Sequence, residues 1–195
     1  MSATSAAVWP PSVRVRTVMP SSFIERLADA RIGTTFNFYR DGERAPLLRA
    51  RVGAYLAART EAPVVLVGEA AGYRGARVSG LPFTSERQLT GTGPAEASAT
   101  IVQRVLAELR LADHVLLWNL VPTHPHLPGR PDSNRPPSCA EIAAARPLLD
   151  AIVAGRRVVA VGRLAARELG TPTVRHPSHG GAAEFKTGLE QALLA

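Results

Sequence analysis

Residues 174–181, VRHPSHGG, crowd a guanidinium, two imidazoles, a hydroxyl and two glycines between two apolar segments. Pro177 stiffens this turn, while Gly180 and Gly181 let backbone amides come close to an anion such as a nucleic-acid phosphate. The same residues also suit a plain helix cap, so the segment by itself supports both readings. Asn119 closes the apolar run HVLLWN, where a hydrophobe is usual. A primary amide offers an acceptor beside a donor, which matches the edge of a pyrimidine; an Asx turn at a strand end is the structural alternative. The stretch GEAAGYRG (68–75) has glycines that would let a ligand approach the backbone, yet it is neither a dinucleotide fingerprint nor a Walker loop. Ser178 has no nucleophile elbow around it. His124 and His126 sit in a proline-rich loop without carboxylate or thiolate partners, which predicts polar surface rather than a metal site.

A scaffold must hold these groups together, and the apolar pattern predicts which. Short continuous runs at 63–68, 114–120, 156–162 and 171–176 alternate with helix-length segments at 98–111, 138–154, 163–169 and from 182 onward. Val- and Leu-rich runs that bury both faces, each followed by a helix, predict an α/β fold: a three-layer α/β/α sandwich around a central four-stranded parallel sheet. Two helices should precede it. One opens at a capping box, Ser22 to Glu25, and ends before Gly33; the other spans 46–59 with Leu47, Leu48, Val52, Tyr55 and Leu56 on one face. Residues 1–20, rich in Ser, Ala and Pro, read as a loose arm, and 21–195 as a single domain. Parallel sheets place working residues in the loops beyond the carboxyl ends of their strands. That rule selects the loops beginning at 68, 119, 162 and 176.

Composition narrows the chemistry further. The formal charge is +7, and Lys186 is the sole lysine among 23 basic residues, so the positive charge is almost all arginine, whose planar fork matches phosphate oxygens. A solvated Arg-rich surface is the competing reading. Cys139 is the only cysteine, which excludes an internal disulfide and any cluster held by several thiolates of one chain. There is no run of 18 apolar residues and the amino terminus lacks a signal-peptide pattern, which predicts a cytoplasmic protein with no membrane partner.

Taken together, VGEAAGYRG and GLPFTSE (67–86), LLWNLVPTHP and SNRPPSCAEI (116–142), VVAVGRLA (158–165) and RHPSHGG (175–181) resemble the uracil-DNA glycosylase superfamily, in that superfamily's order and over residues 63–192. The resemblance implies a monofunctional DNA glycosylase that hydrolyses the N-glycosidic bond of uracil in DNA by base flipping and leaves an abasic site. It implies that Phe83 stacks on the extruded base and that Asn119 reads its edge. His176 would donate to the uracil O2 as charge develops there. Ser178, His179, Gly180 and Gly181 would contact phosphate and wedge into the duplex, with Arg74, Arg77 and Arg175 as further DNA contacts. Gly68, Ala70, Gly72 and Tyr73 belong to the loop beside the base. No lysine lies in these loops to form a Schiff base, so strand nicking is not expected.

The chain also departs from the superfamily's pattern. Ala70 stands where familiar members carry a water-positioning aspartate. Glu69 is the adjacent carboxylate and a catalytic candidate, although alternation along an extended chain turns it the other way, toward bonding with its own loop. Gly72 stands where some relatives use a tyrosine to exclude thymine; Tyr73 is the candidate substitute. Thr123 and Ala145 stand at two positions where relatives with an iron–sulfur cluster carry cysteines, which implies a cluster-free branch with no metal and no cofactor, acting on uracil-containing DNA as a monomer. Two other readings stay open: a glycosylase for hypoxanthine or xanthine, if Gly72 makes the pocket roomier, or a module that binds uracil or abasic DNA without turnover, prompted by Ala70.

Overall fold

A computed structural model describes residues 21–194; the predicted arm, 1–20, lies outside them. The elements are α1 (Ser21–Asp29), α2 (Ala45–Ala58), β1 (Val64–Ala70), α3 (Ala76–Ser79), α4 (Glu86–Thr90), α5 (Ala97–Glu108), β2 (Val115–Val121), α6 (Cys139–Val153), β3 (Arg157–Val161), α7 (Arg163–Leu169), β4 (Thr173–Val174) and α8 (Ala182–Leu194). The four strands form one sheet in the order β2-β1-β3-β4, and every pairing is parallel. Helices cover both faces, as expected from strands that alternate side chains between two buried sides. Val65, Val67, Leu116, Trp118, Leu120 and Ala160 pack with α1, α2, α6 and α7. Val64, Leu66, Val115, Leu117, Val159 and Val161 pack with α5 and α8.

Several local expectations change. Helix α1 already includes Ser22, so that serine is not its cap. Leu47 is 46% exposed, whereas Leu48, Val52 and Leu56 are buried and form the true apolar stripe of α2. Strand β1 continues through Ala70, so Gly68, Glu69 and Ala70 are its last rung rather than loop, and β2 runs two residues past Asn119. The fourth strand shrinks to two residues, because only Thr173 and Val174 find ladder partners in β3. Helices α3 and α4 are too short for periodicity to reveal.

The strand order puts a topological switch beside β1. The chain leaves β1 for β2 on one side and then crosses to β3 on the other, which opens a crevice beyond the carboxyl ends of these strands. Among the described residues no helix is long and apolar enough to cross a membrane.

Candidate active site

Gly68 of β1 pairs with Asn119 of β2 across the sheet. A Cβ at residue 68 would stand 2.8 Å from Asn119 Oδ1 and collide with the Phe83 ring, so glycine there is what lets ring and amide meet over the strand. Asn119 is 4% exposed and sits where β2 buries every other residue. Phe83 adopts φ +49°, a left-handed conformation uncommon for a bulky side chain. Hydrogen bonds hold it there: Gln103 Nε2 donates to the Phe83 carbonyl at 3.1 Å, and Ser79 Oγ donates to the Thr84 carbonyl at 2.6 Å. The other left-handed non-glycine residues described are Arg110 and His179. Two of those three therefore flank this crevice, where strain is commonly kept for function.

His176 follows β4, and its ring geometry fixes its tautomer. The Ser178 backbone N–H donates to His176 Nδ1 at 3.2 Å, and Ser178 Oγ lies 2.8 Å from the same nitrogen. A backbone amide can only donate, so Nδ1 is an acceptor and the proton of the neutral ring sits on Nε2. Burial first, and His179 second, push the pKa of His176 below 6.5, which keeps the ring neutral.

These side chains converge. Phe83, Asn119 and His176 line one cavity of about 60 Å³ together with Glu69, Ala70, Gly72, Ala76, Glu96 and Ser98. An adjoining groove of about 740 Å³ shares Glu69, Ala70, Gly72, Glu96 and His176 and adds Asn134, Arg135, Arg163, Arg167, Ser178 and His179. Burial raises the pKa of both Glu69 and Glu96. Glu69 makes no hydrogen bond to its own loop among the described residues, contrary to expectation, and it lines both the cavity and the groove.

The remaining candidates separate. Tyr73 lines neither space; its ring lies 5.1 Å from the Arg77 guanidinium and 6.3 Å from the His124 ring. Arg77 is sandwiched there, being also 5.3 Å from the Phe36 ring, and Arg74 is exposed outside both spaces. Gly180, at φ +78°, turns the loop toward α8, and a Cβ at Gly181 would stand 2.5 Å from the His176 carbonyl. Arg175 lines a second groove of about 550 Å³ with Arg163, His176, Ser178 and His179. Arg163 and Arg167 escaped sequence reading because GRLA marked only a turn. Glu96 escaped it because it comes from the start of α5, ahead of a strand rather than beyond one.

Two further residues set the loop after β1. His124 is buried, not surface, and its Nδ1 donates to the Ala71 carbonyl at 2.8 Å. Asn134 Oδ1 accepts from the Tyr73 N–H at 2.9 Å. Thr123 and Ala145 are fully buried, with Thr123 Oγ1 2.6 Å from Thr35 Oγ1 and Ala145 on the core-facing side of α6. Among the described residues no group of three or more His, Cys, Asp or Glu side chains is disposed to hold a metal.

A doubly covered parallel sheet that brings an amide, an aromatic ring and a neutral imidazole together at its switch point is an arrangement that fits a DNA glycosylase. The chain belongs to the uracil DNA glycosylase superfamily, whose family model matches residues 56–192. Its fold is similar to that in the crystal structure of wild-type Pedobacter heparinus SMUG2, with a TM-score of 0.59 and 13% identity over 87% of this chain and 93% of that one. No curated protein matches the chain at a significant level.

Proposed function

We propose that this protein is a monofunctional uracil-DNA glycosylase that flips uracil out of DNA and hydrolyses its N-glycosidic bond. The observation that supports this reading is the meeting of Phe83, Asn119 and His176, whose ring carries its proton on Nε2, in one cavity beyond β1 and β2. A base inside a duplex is out of reach, so the nucleotide must swing out, at a cost of a few kcal/mol. Stacking on Phe83 returns about 1–3 kcal/mol. Asn119 pairs with the N3–H and O4 edge of uracil, and cytosine, with its acceptor and donor reversed, mismatches a fixed amide.

As the bond from C1′ to N1 breaks, the electron pair stays with the base and positive charge grows on the sugar. His176 Nε2–H donates to O2, where the base gathers its negative charge, and it is aimed there before reaction begins. Ala70 has no proton chemistry, so water adds to a sugar that is already strongly cationic, and Glu69 is the carboxylate at the cavity wall that takes up its proton. Ser178 through Gly181, with Arg175, lie against the DNA backbone. The small cavity suits one ring better than the two of a purine, and Glu96 occupies the room that Gly72 would otherwise leave for hypoxanthine or xanthine.

The test is an oligonucleotide with a single uracil, in single and double strands, treated with protein and then alkali. An alkali-sensitive break is expected at the uracil, and none without alkali. His176→Ala should slow single-turnover release by about 10²–10³-fold with the fold retained. No break at uracil under any condition overturns the reading.

A further inference from the structure

Gly72 and Gly75 both face the same carboxyl group. A Cβ at residue 72 would lie 2.6 Å from Glu96 Oε1 and 3.0 Å from Oε2, and a Cβ at residue 75 would run directly into Oε2. Glu96 therefore fills the volume that a side chain on the loop after β1 would take. That carboxyl is also part of the wall around Phe83, Asn119 and His176. Its position is set from the same segment that presents the stacking ring: Ser85 Oγ, two residues after Phe83, accepts from the Glu96 backbone N–H at 2.8 Å. Ser98 stands close enough to the Glu96 carboxyl to lower its pKa somewhat against the larger, raising effect of burial. No Lys or Arg pairs with Glu96 among the described residues, so the carboxyl is not held there by an ion pair.

A pyrimidine has few edges to distribute. With its face on Phe83, its O2 at His176 and its N3–O4 edge at Asn119, the remaining edge is C5–C6. The rest of the cavity wall is Gly72, Ala76, Glu96 and Ser98, with Glu69 and Ala70 from the end of β1.

We propose that Glu96 determines which pyrimidine this cavity accepts: its carboxyl fills the corner beside C5, so that uracil enters and a base carrying a methyl-sized group at C5 does not. This rests on the uracil reading above. A methyl at C5 must either overlap the carboxyl or push it from its place over Gly72 and Gly75, where the loop after β1 leaves room for it. The hydrogen at C5 of uracil asks for neither. The small residue at 72 is thus the complement of a large one at 96, two distant parts of the chain sharing one volume.

The experiment compares single-turnover release of uracil, 5-fluorouracil, 5-bromouracil and thymine from otherwise identical oligonucleotides by the full chain and by Glu96→Ala, Glu96→Asp and Glu96→Gln. Both halogens make the base a better leaving group, but only bromine is as large as a methyl, so size separates from reactivity. Shortening the side chain, in Glu96→Ala or Glu96→Asp, should raise release of 5-bromouracil and thymine relative to uracil by about 10–200-fold, with little change for 5-fluorouracil. Glu96→Gln keeps the shape and should keep the exclusion.

Shortened variants that release uracil yet discriminate as the parent does overturn the proposal. So do folded shortened variants and Glu96→Gln that all lose uracil release equally, since Glu96 would then act on the reaction and not on the choice of base. If the parent chain releases no uracil, the function itself falls, a result separate from both. Glu96→Asp is the more conservative change and supplies the comparison if Glu96→Ala does not fold.

Discussion

At the scale of single residues, the His176 ring is set by one backbone amide. The Ser178 N–H occupies Nδ1, which leaves Nε2 to carry the only proton of a neutral imidazole. Protonation would put a second N–H on Nδ1, donor against donor, and break that turn. Because burial lowers the pKa of His176 below 6.5, the neutral form persists under mildly acidic conditions and is lost only as the pH falls further. Single-turnover uracil release is therefore expected to be level near neutrality and to decline on an acid limb with its midpoint below 6.5. Glu69 and Glu96, whose pKa values burial raises, line the same cavity, and His179 adjoins it. The residual rate of His176→Gln identifies the origin of the limb: if His176 causes it, the limb disappears from that variant's pH profile, and if it remains, one of these neighbouring groups causes it.

Between residue and molecule stand the loops, and here the segment 133–142 does more than connect. Arg135 grips Glu141 with two guanidinium nitrogens, at 2.7 and 2.6 Å, while the Ser138 N–H donates to the same carboxylate and Ser138 Oγ accepts from the Glu141 N–H. This closes the start of α6, and Asn134, next to Arg135, holds the Tyr73 N–H of the loop after β1. The Arg135 guanidinium holds the Glu141 pKa down at about 2. A depressed carboxylate contributes stability above its ordinary value of 4.5 and loses it as the pH falls toward about 2. Arg135→Ala leaves a carboxylate, 3% exposed as a residue, without its cation and should cost about 3 kcal/mol at neutral pH in denaturant unfolding. The variant's unfolding free energy should also depend less on pH across that acid window.

For the molecule as a whole, charge and shape act together. The net charge of +7 is spread over the surface, but Arg163, Arg167 and Arg175 stand along the grooves that lead from the cavity. Arg167 is paired with Glu168 at 2.9 Å, and Arg175 approaches Glu184 only to 4.0 Å, whereas Arg163 has no carboxylate partner among the described residues. Arg163 is thus the cation freest to meet a phosphate. Release of uracil at subsaturating protein should fall steeply as salt is raised, and Arg163→Ala should reduce the slope of log rate against log salt by about one unit. A profile flat in salt would contradict a backbone-binding groove. Residues 21–55, which precede the matched family segment, also reach the site: Tyr39 Oη donates to the Gly80 carbonyl at 2.8 Å, and Arg51 bonds both the Ser79 carbonyl and Glu86, bracing the turn that presents Phe83.

The four apolar runs, the helix-length segments between them and the choice of strand-end loops were readable from residue order alone, because burial on both faces and a 3.6-residue period are properties of neighbours along the chain. The loop that bears His176 and the strand end that bears Asn119 followed from the same rule. What tertiary structure decided was mutual: that Leu47 faces outward, that Tyr73 turns to Arg77 and away from the cavity, that His124 is buried beneath the loop it anchors, and that Glu96 fills the space over Gly72. A side chain's partners across a crevice depend on where distant segments end up. Glu96 and Gly72 lie 24 positions apart in the chain, and local spacing carries no sign of their contact.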